Sequence, residues 1–294
     1  MTGRERDSSF VTRHSSLDEP YGWWGYGWRA SEPLSVVALI ETGSLDARTA
    51  ALLWLLLEHR ASLVVAAQAP GAGKTTTLTA LADFLPPGVA RRYLRGWGET
   101  FAFLAGADPR RDYILCNEIS DHLPVYLWGR KVQQLFAAVL AGYGLGTTMH
   151  ADSLDELAAT LEGYPLYVPR RAVARLDLLL TLAVDYAGRR PRRRLASLEL
   201  LRRDGTGDDF APVTLARWDA ARAAIVHDHT QPPAGLLRRT GLSAAEFVAE
   251  RERRAAYLAD LAARGVRAVA DVRRALVDYA AGSPAPGADN RPGG

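Results

Sequence analysis

The segment that most constrains this chain is the run Ser62 to Ala67 (SLVVAA) followed by Pro70-Gly71-Ala72-Gly73-Lys74-Thr75-Thr76-Thr77. A short apolar run of this kind is a buried-strand pattern. The glycines then turn the chain into a segment of helix character from Lys74 to about Phe84, which stops before Pro86-Pro87-Gly88. Strand, glycine turn and helix in that order are what a phosphate-binding loop requires. Glycines let backbone N–H groups point inward, a lysine reaches the β- and γ-phosphates, and a Ser/Thr hydroxyl holds Mg²⁺. The helix start adds the positive end of its dipole. Gly71, Gly73, Lys74 and Thr75 fit those roles, with Pro70, Ala72 and Thr76 completing the loop. The pattern GxxxxGK(S/T) is met except at its first glycine, where Gln68 stands. A bare glycine turn would not account for Lys-Thr at the helix start, so the expected ligands are a nucleotide and Mg²⁺.

Around this loop the chain alternates between helical and strand patterns. Asp46 to Arg60 carries a helical apolar face, and strand-like runs follow at Val89–Leu94, Tyr113–Cys116 and Leu145–Met149, with a helix expected from about Val125 to Ala141. Ser153 and Glu156 have capping-box spacing, and further strands are expected at Leu176–Val184 and Leu195–Leu201. Such alternation predicts an α/β domain built on a mainly parallel sheet. After about Trp218 the pattern becomes helical: Ser243 and Glu246 open a helix running to Gly265, and Val269, Val272, Leu276 and Tyr279 mark one face of a last helix. The expected organisation is a disordered start (1–20), an aromatic segment (21–45), a P-loop domain (46–217), a helical C-terminal subdomain (218–282) and a disordered tail (283–294). In the aromatic segment, YGWWGYGWR reads as packing or subunit contact, with a partner surface as the other option.

Composition narrows the class of protein. At 294 residues and 48% hydrophobic the chain can bury a core, and at about 100–200 residues per domain it holds one or two domains. The 36 basic residues exceed the 33 acidic ones by only three, so charge alone does not call for nucleic acid as a partner. The single cysteine, Cys116, excludes an internal disulfide and a multi-cysteine metal site, which fits a reducing cytoplasm. The polar start has no apolar signal-peptide core, and the most apolar run, Ala50–Leu57, is well short of the ~20 residues a membrane span needs. Arginines 189, 190, 192, 193 and 194 read as solvated charge on a hairpin turn.

Two further segments carry chemistry. Tyr113-Ile114-Leu115-Cys116-Asn117-Glu118 places an acid at the end of an apolar strand, where Glu118 can polarise water or stand near Mg²⁺. Gly142 to His150 is a strand of small residues ending in Thr148 and His150, which can present both side chains to a γ-phosphate; a histidine satisfied near a helix start is the other reading.

In order and spacing these segments resemble the secretion ATPase superfamily, the hexameric motors of type II and type IV secretion, type IV pili, Tad pili and archaella. Ala69 to Leu78 looks like their Walker A loop, Asp112 to Asp121 like their Walker B strand, and Gly142 to Ser153 like their histidine box. The resemblance covers roughly Leu63 to Leu201 and implies a RecA-like P-loop fold. By position it makes Lys74 the phosphate ligand, Thr75 and Glu118 the Mg²⁺ site, Glu118 the Walker B glutamate, His150 the second histidine of its box, and Glu99 the remaining acid of the aspartate box. It also implies ATP hydrolysis, a homo-hexameric ring, and a membrane platform protein of a pilus or secretion apparatus as partner, on the cytoplasmic face and without direct nucleic-acid binding. Several positions differ: Gln68 for the first loop glycine, Arg95 and Gly96 for acids, Asn117 for a glycine, Ser120 for an arginine and Tyr143 for the first histidine. With about 60 residues before the P-loop strand, the expectation is a reduced or specialised member. A nucleotide-binding regulatory subunit with weak turnover is the alternative.

Overall fold

A computed structural model describes residues 23, 33–186, 191–204, 209–228 and 231–282. The segments 1–20 and 283–294, most of the YGWWGYGWR motif, and Arg189 and Arg190 lie outside the described residues. Trp23 is described: it is buried, its Nε1–H donates to the Leu94 carbonyl at 3.1 Å, and it meets Tyr93 edge to face.

In chain order the elements are α1 (Val36–Glu41), α2 (Ala47–Glu58), β1 (Leu63–Ala66), α3 (Lys74–Ala82), β2 (Ala90–Tyr93), β3 (Asp112–Ile119), α4 (Arg130–Leu140), β4 (Gly144–Met149), α5 (Leu154–Glu162), α6 (Arg170–Val173), β5 (Leu178–Asp185), β6 (Arg192–Asp204), β7 (Asp209–Asp219), β8 (Ala224–His227), α7 (Ala234–Thr240), α8 (Ala244–Ala263) and α9 (Val269–Gly282). The strands form one sheet in the order β2-β3-β4-β1-β5-β6-β7-β8. The first five are parallel, and the pairings from β5 to β8 are antiparallel. The chain is therefore an α/β protein of the expected RecA-like type, with the P-loop strand β1 between β4 and β5.

Strand alternation divides the core in two. Leu63, Val65 and Ala67 face α1, α2, α3, α8 and α9, while Val64 and Ala66 face the layer of α4, α5 and α6. On β4, glycines at alternate positions open space for the helix layer: a Cβ on Gly144 would stand 2.6 Å from the Tyr113 ring, and one on Gly146 would stand 2.9 Å from Leu115 and 3.1 Å from Leu78. Tyr113 fills that space and donates its hydroxyl to the Ala61 carbonyl.

Three expectations are revised. The helix expected from Val125 begins only at Arg130, because Leu127 bridges to Ile119 at the end of β3 and Gly129 then takes φ +64 as the N-cap. Strand β7, not read from sequence, contains Pro212, which argues against a strand. It is tolerated because β8 pairs only with Ala216–Asp219, leaving Pro212 opposite β6 alone among the described strands. The sheet thus runs past Trp218 to His227 before the C-terminal helices begin. Their buried residues Phe247, Leu258, Leu261 and Val272 join the same core as Leu53 and Leu56. Buried Arg254 ties them to α2, donating to Glu250 and Glu58 at 2.6 Å each and stacking on Trp54.

Asp46 joins the sheet's far end to α2. It caps the helix by accepting the Thr49 N–H at 2.7 Å, and His227 Nε2 of β8 lies 2.9 Å from its other oxygen. Partial burial works to raise its pKa, but hydrogen bonds from His227 and Thr49 outweigh this and hold the carboxyl below its ordinary 3.8. A lowered carboxylate pKa stabilises the fold above the unfolded value and loses that contribution as pH falls through the folded one. Asp46→Ala is expected to cost about 1 kcal/mol in urea denaturation at pH 7. The deficit should shrink on acidification below pH 3.8; a deficit independent of pH would rule out the ionised cap.

Candidate functional site

The loop after β1 reaches α3 through two residues with positive φ, Gly71 at +69 and Gly73 at +89. Gly73 is the N-cap of α3, a left-handed position that a residue with a Cβ adopts only under strain. It starts the helix directly at Lys74, so the N–H groups of the first turn point to the loop's concave side. The Lys74 side chain is buried, with Nζ 3.5 Å from the Ala67 carbonyl, 3.3 Å from His150 Nε2 and 3.8 Å from Glu118 Oε2. Burial lowers its pKa from the ordinary lysine value, opposed by the Glu118 charge.

A bulge sets the acid. Pairing between β3 and β4 runs Cys116↔Thr147 and then Ile119↔Met149, so Asn117 and Glu118 together oppose Thr148. Such a bulge re-aims neighbouring side chains that would otherwise alternate across the sheet. Here it sends both toward the P-loop: the Thr75 hydroxyl lies 3.5 Å from Asn117 Oδ1, while the Glu118 carboxylate meets Lys74 and His150. Thr148 fastens the bulge, its hydroxyl lying 2.8 Å from the Asn117 carbonyl and 3.3 Å from Glu118 Oε2. His150 Nε2 stands 3.1 Å from Glu118 Oε1 without the alignment of a hydrogen bond, so among the described residues that buried oxygen has no hydrogen-bond partner, and neither has Asn117 Nδ2. A buried carboxylate oxygen with no hydrogen bond among the described residues, beside a helix-start threonine, suits a hard cation, and these residues fit Mg²⁺.

The loop after β4 is tied to the P-loop. The Gln68 N–H donates to Asp152 Oδ1 at 3.1 Å, and the Gln68 carboxamide donates to Glu156. Glu156 accepts the Asp152 N–H instead of closing a capping box with Ser153, whose hydroxyl accepts only the Glu156 N–H. The residue that breaks the glycine pattern thus fixes His150's loop against the glycine loop.

Lys74, Thr75, Glu118 and His150 converge at the carboxyl ends of β1, β3 and β4. Glu99 does not join their contacts: it is buried and accepts the N–H groups of Arg95, Thr100 and Phe101, pinning a turn. Tyr143 donates its hydroxyl to the Ala107 carbonyl. Arg91 and Arg92 are paired with Asp83 and Asp112. Cys116 is buried, which pushes its thiol up to about 12 and keeps it protonated.

Two neighbours were not singled out from sequence. His122 lies edge to face with His150, and ligand atoms of Glu118, His122 and His150 fall within 4.8 Å of one another, a set that could also hold a metal. Arg193 of β6 donates from Nε to the Gly71 carbonyl at 2.6 Å. The first follows the Walker B-like strand without a recognisable motif; the second was visible only as part of an arginine run.

No family model matches the chain. An uncharacterized protein of Methanocaldococcus jannaschii is 28% identical over 257 residues, covering 76% of this chain and 90% of that protein. Another from the same organism is 28% identical over 196 residues, covering 57% of this chain and 33% of that protein. Among solved structures, the VirB11 ATPase from the Brucella suis type IV secretion system, in complex with sulphate, is similar with a TM-score of 0.40 and 19% identity, covering 61% of this chain and 60% of that one. The Legionella pneumophila ATPase DotB is similar with a TM-score of 0.32 and 15% identity, covering 55% of this chain and 52% of that one. Likenesses this distant carry neither activity nor partners across.

Proposed function

We propose that this chain is a Mg²⁺-dependent ATPase of the secretion-motor kind, acting as a homo-oligomeric ring, hexameric by resemblance, that powers a pilus or secretion apparatus from the cytoplasmic face of a membrane through a platform protein. None of its described helices is long and apolar enough to cross a membrane. The observation that carries the reading is the convergence of buried Lys74 and Glu118 with His150 at the mouth of a glycine loop that opens a helix.

In this reading Lys74 and the first-turn N–H groups of α3 hold the phosphates, and Thr75 with Glu118 holds Mg²⁺. When bound, the ion neutralises phosphate charge. Glu118 orients the attacking water and takes up its proton, while His150, held by the Gln68–Asp152 link, stands where it registers the γ-phosphate. One observation favours the regulatory alternative: Tyr143, at the place of the first box histidine, is spent on the Ala107 carbonyl.

Equilibrium binding of MgATP and steady-state phosphate release by the purified chain test both readings. The motor reading expects binding and Mg²⁺-dependent turnover by the homo-oligomer. Binding without turnover would leave the regulatory subunit, and absence of binding would overturn both.

A further inference from the structure

The arginine run, whose described members lie on β6, is a sequence motif that the proposed chemistry does not use. Strand alternation separates its members. Arg194 is held on one face, its guanidinium 3.3 Å from Asp185 and stacked 4.6 Å from the Trp218 ring. Arg193 therefore projects to the other face, where Nε donates to the Gly71 carbonyl and Cδ lies over Gly73, 3.3 Å from where a Cβ would stand. A Cβ there would crowd the arm, so the same glycine that allows the left-handed turn also makes room for it. The side chain is exposed, and its contact is with a neutral backbone oxygen, with no carboxylate ion pair among the described residues.

That is an unusual place for a full positive charge. A guanidinium offers five donors in a planar fork suited to phosphate oxygens, and here only Nε is engaged. A carbonyl is a weak acceptor beside a polyphosphate, which at this loop would bring several anionic oxygens to the same mouth. We propose that Arg193 is a nucleotide-binding residue supplied in cis by the β5–β6 hairpin, and that its guanidinium turns from the Gly71 carbonyl to the phosphate chain of a nucleoside di- or triphosphate when one binds. The proposal rests on the reading of Pro70–Thr76 as a phosphate loop. It adds a phosphate ligand from across β1 that the loop pattern itself does not contain, and it couples occupancy of the site to the position of the antiparallel hairpin.

The test is calorimetric titration of the whole chain with MgATP and MgADP, comparing wild type with R193A, R193K and R194A. Loss of a charge-assisted contact predicts roughly 10- to 100-fold weaker binding of both nucleotides by R193A. R193K, which keeps the charge without the fork, should fall between, and R194A should match wild type. Melting of the nucleotide-free protein separates binding from structure: R193A should melt with wild type, while its stabilisation by MgATP shrinks in step with affinity. If wild type binds no MgATP, the phosphate-loop reading fails, and this proposal with it. If wild type binds and R193A binds as tightly or more tightly, Arg193 is a clamp on the empty loop and the proposal alone is overturned. Should R193A not fold, R193Q carries the same comparison, with the same outcomes deciding.

Discussion

Glu118→Gln is expected to bind MgATP within a few-fold of wild type and to release phosphate roughly 10²- to 10⁴-fold more slowly, the range that a positioned base contributes. The substitution keeps the side chain's shape, so the bulge opposite Thr148 persists, and the remaining carbonyl oxygen can still accept the Thr148 hydroxyl. What disappears is the charge 3.8 Å from Lys74 and the basic oxygen, now without a hydrogen-bond partner, that stands ready for water. Single-turnover hydrolysis with saturating protein isolates the chemical step from ring assembly. A parallel urea melt checks that the buried lysine tolerates losing its counter-charge. Hydrolysis at the wild-type rate by a folded Glu118→Gln protein would remove Glu118 from the reaction and return it to the role of a buried counter-ion.

What the sequence made legible follows from where its information is local. The glycine loop is a contiguous pattern in which each residue answers a backbone or ligand demand, so β1, the turn and α3 could be placed by number, and Gly71 and Gly73 make the turn at positive φ. The same holds for the helix cap at Ser243, whose hydrogen bonds span three residues. The Asn117–Glu118 bulge was not legible, because it is a mismatch between two strands and neither strand alone records the register. Without it, period-two alternation sends these neighbours to opposite faces, and Asn117 looks like a mere departure from a glycine instead of the partner of Thr75. Gln68 misled for a related reason: it breaks the loop pattern, yet its carboxamide bonds Glu156, 88 residues further along the chain. Arg193 is the extreme case, since the run it belongs to predicts solvated charge, and only the register of β6 against β5 picks it out, among the described members, as the one that meets the loop.

Lys74→Ala should abolish MgATP binding, by a factor of roughly 100 or more, since lysine–phosphate bonds are charge-assisted and each contributes on the order of 1.5–3 kcal/mol. Lys74 also neutralises Glu118. Deleting it leaves a buried carboxylate facing the site where an anionic ligand must enter, and repulsion alone could mimic the loss of a ligand. The double variant Lys74→Ala/Glu118→Gln separates the two effects, because it removes the lysine without stranding the charge. If Lys74 binds phosphate directly, the double variant stays unable to bind MgATP in calorimetry. If the lysine serves only to hold the glutamate, removing both restores affinity toward that of Glu118→Gln. The geometry favours the first outcome: Nζ lies 3.3 Å from His150 Nε2, 3.5 Å from the Ala67 carbonyl and 3.8 Å from the carboxylate, none a tight bond, so the ammonium loses little by turning toward a phosphate.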